Sequence, residues 1–333
     1  MKTTSFGIAN YCVACRSHCR HCLLSSCGKA TGVDYETGAS FAHRFLEEIS
    51  GYRQGISCFY YIGYCMDTPK LGDYIRFCKE HDSPGARFLQ MNGFAFRNEK
   101  ELASLMRNIK NEGVEMIDLT FYGTEEYHDR FAGRKGDFAF VIRMLSAANE
   151  AGLKVTISIP LLRENLDQME ELRRVPEISK ADKFSYFLPH SKGRGRSLQD
   201  QRITKQEFES LPEEVRSSFQ KIKHQTEAEW LSSGEITEPE KRSLTLVLTP
   251  ENLEHYQKLN AGEIVGEIEA LDERFIEQMP SVNDLAARYG RRDNRQLYRF
   301  RDLLLRWRQE YISETGGRIY DMHDETHHFS VHM

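Results

Sequence analysis

Over residues 4–188 the apolar positions change period repeatedly. Short continuous or alternating runs give way to longer stretches in which every third or fourth residue is apolar. The short runs predict strands over Thr4–Ala9, Cys58–Tyr64, Arg87–Met91, Met116–Phe121, Val155–Leu161 and Phe184–Leu188. Between the third and fourth of these, Leu102, Leu105, Met106 and Ile109 fall at i, i+3, i+4 and i+7, one face of a helix. Asn98, with Glu101 three residues on, predicts its capped start, and Gly113 its stop. Phe138, Val141, Ile142, Leu145 and Ala148 repeat the stripe, and Gly152 closes it. Strands separated by single helices imply right-handed βαβ units and a parallel sheet. Six such units predict an α/β protein built as an open, partial (β/α)6 TIM-like barrel.

The pattern shifts around Gly193-Arg194-Gly195-Arg196, which is expected to form a mobile loop at the barrel mouth. The expected division is therefore 1–200 as barrel and 201–333 as a mainly helical region, substrate-specific or covering the barrel. Residues 200–241 are polar and helical in character, with Phe208, Leu211, Val215 and Phe219 as a sparse stripe. A further strand is expected at Leu244–Leu248, then a helix opened by Thr249-Pro250-Glu251. Residues 281–312 are helical, basic and aromatic, and lead into a His-rich tail, His323-Asp-Glu-Thr-His327-His328, expected to lie at the surface.

Composition narrows the classes of function. Lys and Arg number 45 against 50 for Asp and Glu, a net charge of −5. That balance argues against a chain whose main partner is a nucleic-acid backbone. No run of about 18 apolar residues predicts a membrane span, and the first residues lack the apolar core of a signal peptide, so a cytoplasmic chain is expected. All eight cysteines fall within the first 78 residues, five of them between 12 and 27. A non-secreted chain of 333 residues has no need of disulfide staples, so the clustering points to metal.

The run Cys15-Arg-Ser-His-Cys19-Arg-His-Cys22 is C-x3-C-x2-C, placed just after the first strand. Three thiolates at this spacing can each reach a different iron of one [4Fe–4S] cube, leaving the fourth iron open. Zinc is the alternative, although the C-x2-C pairs Cys12/Cys15 and Cys19/Cys22 lie too close together for a normal ribbon. Cys12, Cys27, Cys58, Cys65 and Cys78 are expected to pack mainly as small buried hydrophobes.

The motif resembles the signature of the radical S-adenosylmethionine (radical SAM) enzymes, with His21 at the aromatic position before the last cysteine. The resemblance implies one [4Fe–4S] cluster on Cys15, Cys19 and Cys22, with S-adenosylmethionine at the open iron. It implies reductive cleavage to a 5′-deoxyadenosyl radical that abstracts hydrogen from a peptide or small molecule. An electron donor such as flavodoxin or ferredoxin is implied as well. Gly63-Tyr64-Cys65-Met66-Asp67-Thr68-Pro69 stands where many members carry Gly-Gly-Glu-Pro, so Gly63, Tyr64, Cys65 and Asp67 become candidate cofactor contacts. Met91-Asn92-Gly93 resembles a Thr-Asn-Gly turn, and Thr120 stands at the Ser of a Ser-Leu-Asp-Gly…His-Asp segment that ends here in His128-Asp129. Ser158, Arg163 and Asn165 resemble an Asn…Arg-x-Asn pattern serving the ribose and carboxylate. With no cysteine after Cys78, a C-terminal auxiliary-cluster (SPASM) domain is not expected.

Blander readings stand beside these. Asn92, Thr120 and Ser158 are residues that often end strands or cap helices. Arg163 could begin a solvated helix, and the Arg194/Arg196 loop could hold a substrate anion. The competing function is a metal-stabilised binding protein whose Val282–Tyr311 segment acts as a helix-turn-helix. An amphipathic helical pair packed on the barrel is the commoner form of such a pattern.

Overall fold

The computed structural model describes residues 1–52, 55–316 and the backbone of 328–332. Every strand expected before residue 190 is present: β1 Lys2–Ala9, β2 Ser57–Tyr61, β3 Phe88–Gln90, β4 Met116–Thr120, β5 Lys154–Pro160 and β6 Lys183–Phe187. Helices alternate with them: α1 Tyr35–Tyr52, α2 Leu71–Glu80, α3 Glu99–Asn111, α4 Glu125–Ala132, α5 Asp137–Glu150 and α6 Met169–Arg174. The start of α3 follows from its capping pair. Glu101 N–H donates to Asn98 Oδ1 at 3.0 Å, and Asn98 N–H donates to Glu101 Oε2 at 2.9 Å.

Beyond residue 200 come α7 Lys205–Glu209, α8 Glu213–Ser217, β7 Gln225–Thr226, α9 Glu227–Ser232 and β8 Lys241–Val247. They are followed by α10 Pro250–Gln257, α11 Ala261–Glu277, α12 Val282–Tyr289, β9 Leu297–Tyr298, α13 Phe300–Thr315 and β10 His328–His332. The tail motif from His323 to His327 lies outside the described residues. Among the described residues, no helix is long and apolar enough to cross a membrane.

The parallel strands are ordered β8-β1-β2 and β3-β4-β5-β6, with β10 antiparallel on the outer side of β8. The parallel α/β architecture is as expected, but the count of six is short by one strand. β1 pairs with β2 from Ser5↔Ser57 to Ala9↔Tyr61, and on its other side with β8 from Lys2↔Lys241 to Ala9↔Val247. The expected division at residue 200 therefore does not divide the sheet. Tyr256 of α10 and Ile264 and Ile268 of α11 join the same apolar core as Ile8 and Leu246.

A second core is separate. Trp230, Leu285, Tyr289, Tyr298, Leu303 and Trp307 bring α9, α12 and α13 together. The buried Trp307 donates its Nε1–H to Glu227 Oε1 at 3.0 Å, and Arg306 ion-pairs with the same carboxylate. Between α12 and α13 the chain passes through β9, so the segment is a packed helical pair and not a helix-turn-helix with its three- or four-residue turn.

Strand alternation sorts the two faces of the sheet. Ile117 and Leu119 of β4, with Val155, Ile157 and Ile159 of β5, pack in the core with Met106 and Met144 of the helices. Asp118, Thr120, Thr156 and Ser158 take the opposite face. Across the sheet the Ser5 and Ser243 hydroxyls hydrogen-bond to each other, and a Cβ on Gly7 would lie 2.5 Å from the Phe59 ring. The inner face thus combines small and polar groups with the Phe59 ring. Of the five non-motif cysteines, Cys65 and Cys78 are buried and Cys12 and Cys58 half-buried, but Cys27 is exposed, contrary to expectation.

Because β8 flanks β1, Leu246→Ala is expected to cost about 2–5 kcal/mol, the range for a large core truncation. Ile222→Ala, at an exposed position, should stay within about 0.5 kcal/mol. Denaturant unfolding measures both, and a fragment ending at residue 200 should fail to fold. A stable Leu246→Ala would remove β8 from the folding unit.

Candidate cluster and cofactor site

After β1 the chain runs from Asn10 to Asp34 without a strand or α-helix, so this loop has no ladder to satisfy its amides. Its own turns supply some bonds, such as Cys22 N–H to Cys19 O at 3.2 Å, and its neighbours supply others. Arg16 N–H donates to Gly93 O at 2.8 Å, His18 N–H to Ala132 O at 2.7 Å and Arg20 N–H to Phe131 O at 3.0 Å, while Tyr64 N–H donates to Val13 O at 3.1 Å. From the opposite side comes Arg194. Its N–H reaches Cys22 O at 3.0 Å, its Nε–H Cys19 O at 2.8 Å and its Nη1–H Ser26 O at 2.8 Å. Gly193–Gln201 is a 3-10 helix whose arginine clamps the cysteine loop. Neither the mobile loop nor the anion anchor expected for Arg194 describes it.

The thiols sit within this frame. Tyr122 donates its hydroxyl hydrogen to Cys19 Sγ at 3.1 Å, and Cys22 Sγ lies 3.7 Å from Ser26 Oγ. Cys15 Sγ presses on the turn after β3, where a Cβ on Gly93 would stand 2.2 Å from it. Cys65 makes a fourth sulfur here, with its thiol 3.2 Å from Ala14 O. A hydrogen bond between the Cys65 and Cys15 thiols brings Cys15 down to about 7, favouring its thiolate. Burial pushes Cys19 up to about 12, and the neighbouring Cys15 and Cys22 add to this. A cationic centre bound there would reverse that balance, since a coordinated thiol loses its proton.

Several expected contacts gather around the loop. The His21 ring packs against Tyr122 and Phe131, with centroids at 5.2 and 5.6 Å. Burial, and then the charge of Arg194, lower its pKa to about 4, so the imidazole is neutral at pH 7. Gly63 has no room for a side chain, because its Cβ would stand 2.7 Å from Val13 Cβ. Tyr64 stacks on Tyr11 at 4.4 Å.

Other residues are occupied elsewhere. Asp67 accepts Ala95 N–H at 2.7 Å and ion-pairs with Arg97, so both carboxylate oxygens tie the β2 turn to the β3 turn. Asn92 clamps the end of β4, donating to Thr120 O at 3.0 Å and accepting Thr120 N–H at 2.7 Å. Asn165 is fully buried and bridges Tyr122 O at 2.7 Å and Pro160 O at 2.8 Å, with Leu162 N–H on its carbonyl. Arg163 does not reach the cysteine loop; it forms a half-exposed pair with Glu207 at 3.1 Å. His128 accepts Tyr122 N–H on Nδ1 at 3.3 Å, which leaves its Nε2–H for Asp137 at 3.1 Å. Asp129 takes the amides of Gly136 and Phe138, so the His128-Asp129 pair is scaffold beneath the loop.

Sequence reasoning missed Tyr122, Arg194 in its clamping role, and Asp118. The signal for Asp118 was a carboxylate inside an otherwise apolar strand, Met116-Ile-Asp-Leu-Thr120. Its side chain is buried, Oδ2 accepts the Ser158 hydroxyl at 2.6 Å, and Oδ1 has no hydrogen-bond partner among the described residues. Burial pushes its pKa up to about 6, against the smaller opposing effects of Ser158 and Lys183.

A strand-borne cysteine loop over a parallel α/β sheet defines a class, and comparison supplies its name. The model of the Radical SAM superfamily matches residues 10–175, and the chain belongs to that superfamily. It is 25% identical over 186 residues to the antilisterial bacteriocin subtilosin biosynthesis protein AlbA of Bacillus subtilis, covering 55% of this chain and 39% of that one. To Fe-coproporphyrin III synthase of Methanosarcina barkeri it is 22% identical over 196 residues, covering 58% and 46%. The chain spans less than half the length of these curated relatives. Among solved structures it resembles Streptococcus suis SuiB bound to precursor peptide SuiA, at 16% identity and a TM-score of 0.42, covering 57% and 40%. The Escherichia coli coproporphyrinogen III oxidase HemN gives 16% identity and a TM-score of 0.38, covering 62% and 50%.

The family uses a [4Fe–4S] cluster and S-adenosylmethionine. The residues present fit the cluster: three unpaired cysteines share one externally pinned loop, and Cys15 Sγ lies where only a glycine, Gly93, leaves it space. Gly93 also has φ +81°, which L side chains rarely adopt. Gly93→Ala is therefore expected to displace Cys15 and lower the iron bound per chain after anaerobic reconstitution. Full iron loading would show that the loop yields to the added methyl.

Asp118 makes a pH prediction. Its carboxyl keeps its proton longer in the fold than in the unfolded chain, so its contribution is favourable below about pH 4 and is lost as pH rises through about 6. Asp118→Asn should raise stability by on the order of 1–3 kcal/mol at pH 8 and change little at pH 4. Unfolding curves at the two pH values decide; equal shifts would place the carboxylate in contact with solvent or a cation.

Proposed function

We propose that the chain holds its [4Fe–4S] cluster on Cys15, Cys19 and Cys22, binds S-adenosylmethionine at the open iron, and directs hydrogen abstraction from a peptide or small molecule. The observation that carries this reading is the cysteine loop, pinned over the carboxyl ends of parallel strands whose inner face is polar. When bound, the cluster and S-adenosylmethionine supply one-electron cleavage of the sulfonium to a carbon-centred radical. Everything else belongs to this chain. Tyr122 and Arg194 orient the loop, and the neutral ring of His21 offers a flat apolar face beside it. Gly63 and Tyr64 close the turn after β2 against Val13.

Asp118 lies two residues before Thr120 on β4, roughly 6.6 Å deeper at about 3.3 Å per residue, and Ser158, in register with Thr120, reaches down to it. There the unpartnered Oδ1 accepts an N–H or O–H of a substrate, fixing which of its hydrogens faces the cofactor. A peptide substrate is supported by the name of AlbA, a bacteriocin biosynthesis protein. The helical unit of α9, α12 and α13 is proposed to cover the substrate side, and a flavodoxin or ferredoxin to deliver the electron.

Cys15→Ala, Cys19→Ala and Cys22→Ala should each abolish the broad absorption at roughly 400 nm and the release of 5′-deoxyadenosine on reduction, because two thiolates retain a cube poorly. Cys58→Ala and Cys78→Ala should keep both. Iron lost from either of these last two variants would point to an additional cluster and overturn the single-cluster reading.

A further inference from the structure

Away from the cysteine loop, His43 of α1 faces the carboxyl end of α2, where Glu80 and His81 stand. In a βαβ unit the helix runs back along the sheet, so the end of α2 lies at the pole of the barrel opposite the cysteine loop. His43 Nδ1 and His81 Nε2 are 3.0 Å apart, and Glu80 Oε1 is 4.0 Å from His43 Nδ1. All three ligand atoms lie within 4.8 Å of one another. Two nitrogens bound at about 2.05 Å to one tetrahedral ion sit about 3.3 Å apart, so the observed spacing needs little adjustment.

Two further observations separate this group from a chance surface cluster. The second nitrogen of His43, Nε2, lies 3.2 Å from Glu47 Oε1. A carboxylate on the far nitrogen holds the proton there and leaves Nδ1 with its lone pair outward, the arrangement that orients metal-binding histidines. The His81 ring is also held in place: it packs on Phe77 at 4.5 Å, and Phe77 packs on the buried Tyr60 at 5.2 Å. The carboxyl end of α2 adds the negative end of a helix dipole. Both histidines therefore sit on rigid elements and stay within reach of solvent.

We propose that His43, His81 and Glu80 form a site for a divalent transition-metal ion of the zinc class, with Glu47 as the positioning carboxylate. Two imidazoles and one carboxylate suit zinc over calcium or magnesium, which prefer oxygen. Such an ion joins α1 to the end of α2 and so braces the first βα units, whose intervening strand β2 pairs with β1, the strand that leads into the cysteine loop. The site is independent of the radical chemistry.

The test uses cluster-loaded protein titrated anaerobically with Zn2+ by calorimetry, with the cluster absorption followed in parallel. One equivalent should bind without loss of absorption. Affinity should fall at least tenfold in His43→Ala and in His81→Ala, and by less in Glu47→Gln, whose residue is exposed and makes no core contact. Zinc should raise the thermal midpoint most in the parent, less in Glu47→Gln and least in the two histidine variants, and without zinc Glu47→Gln should unfold with the parent. Equal binding by the His43→Ala/His81→Ala double variant would overturn the proposal. So would bleaching of the cluster in step with zinc uptake, since that places the ion on the thiols.

Discussion

A loop that gathers three thiols satisfies only part of its own backbone, and its neighbours are organised around that deficit. A buried amide left without a partner costs on the order of 1–3 kcal/mol, so such a loop holds its shape only where other elements bring acceptors to it. Here the acceptors are the carbonyls of Gly93, Phe131 and Ala132, and donors come from Tyr64 and Arg194. They belong to the turns after β2 and β3, to α4, and to a segment 175 residues downstream of Cys19. The mouth of the barrel is therefore one hydrogen-bonded unit, and its assembly requires the whole parallel sheet. Short turns follow from this. Gly63 and Gly93 stand where any side chain would strike Val13 or Cys15.

The inner face carries a second constraint. Small and hydroxyl-bearing residues let other groups pack closely on it, and Gly7 under the Phe59 ring is one example. The same face buries a carboxylate, Asp118, with a hydrogen bond from Ser158. An anion buried with half its acceptor capacity unmet lowers stability, which is why its proton is held so firmly. Natural folds accept such a loss where a ligand makes up the missing bond. The raised pKa of Asp118 and its bare Oδ1 thus express one fact, a carboxylate buried with little hydrogen bonding among the described residues.

Much of the fold was legible because its signals are local. Periodicity placed the six early strands to within a few residues, and the Asn98/Glu101 pair marked the start of α3. The Leu244–Leu248 run was also readable as a strand. Its place beside β1 was not, because pairing between segments at opposite ends of the chain leaves no trace in the spacing of either. The cysteine spacing was legible for the same local reason, since the three proposed cluster ligands lie between residues 15 and 22. Contacts assembled from distant turns were harder. Asp67 had the charge expected of a cofactor contact, yet Arg97, from the turn after β3, takes it into a structural bridge.

The two arginines show why family patterns transfer unevenly. A guanidinium is long and fork-shaped, and it settles on whatever acceptors its backbone position brings near. Arg163 lies in the expected place after β5, but the capping carboxylate Glu207 of α7 stands beside it, and the pair forms at the surface. Arg194 follows no pattern of the sequence beyond a glycine on either side. A Cβ on Gly195 would stand 2.3 Å from His190 O, so only glycine lets the chain turn so tightly there and aim the arginine inward onto Cys19 and Ser26. A ligand motif thus transfers by spacing alone only where its residues are neighbours in the chain. Where the site is closed by residues from separate turns, the local competition for hydrogen bonds decides which side chain reaches the loop.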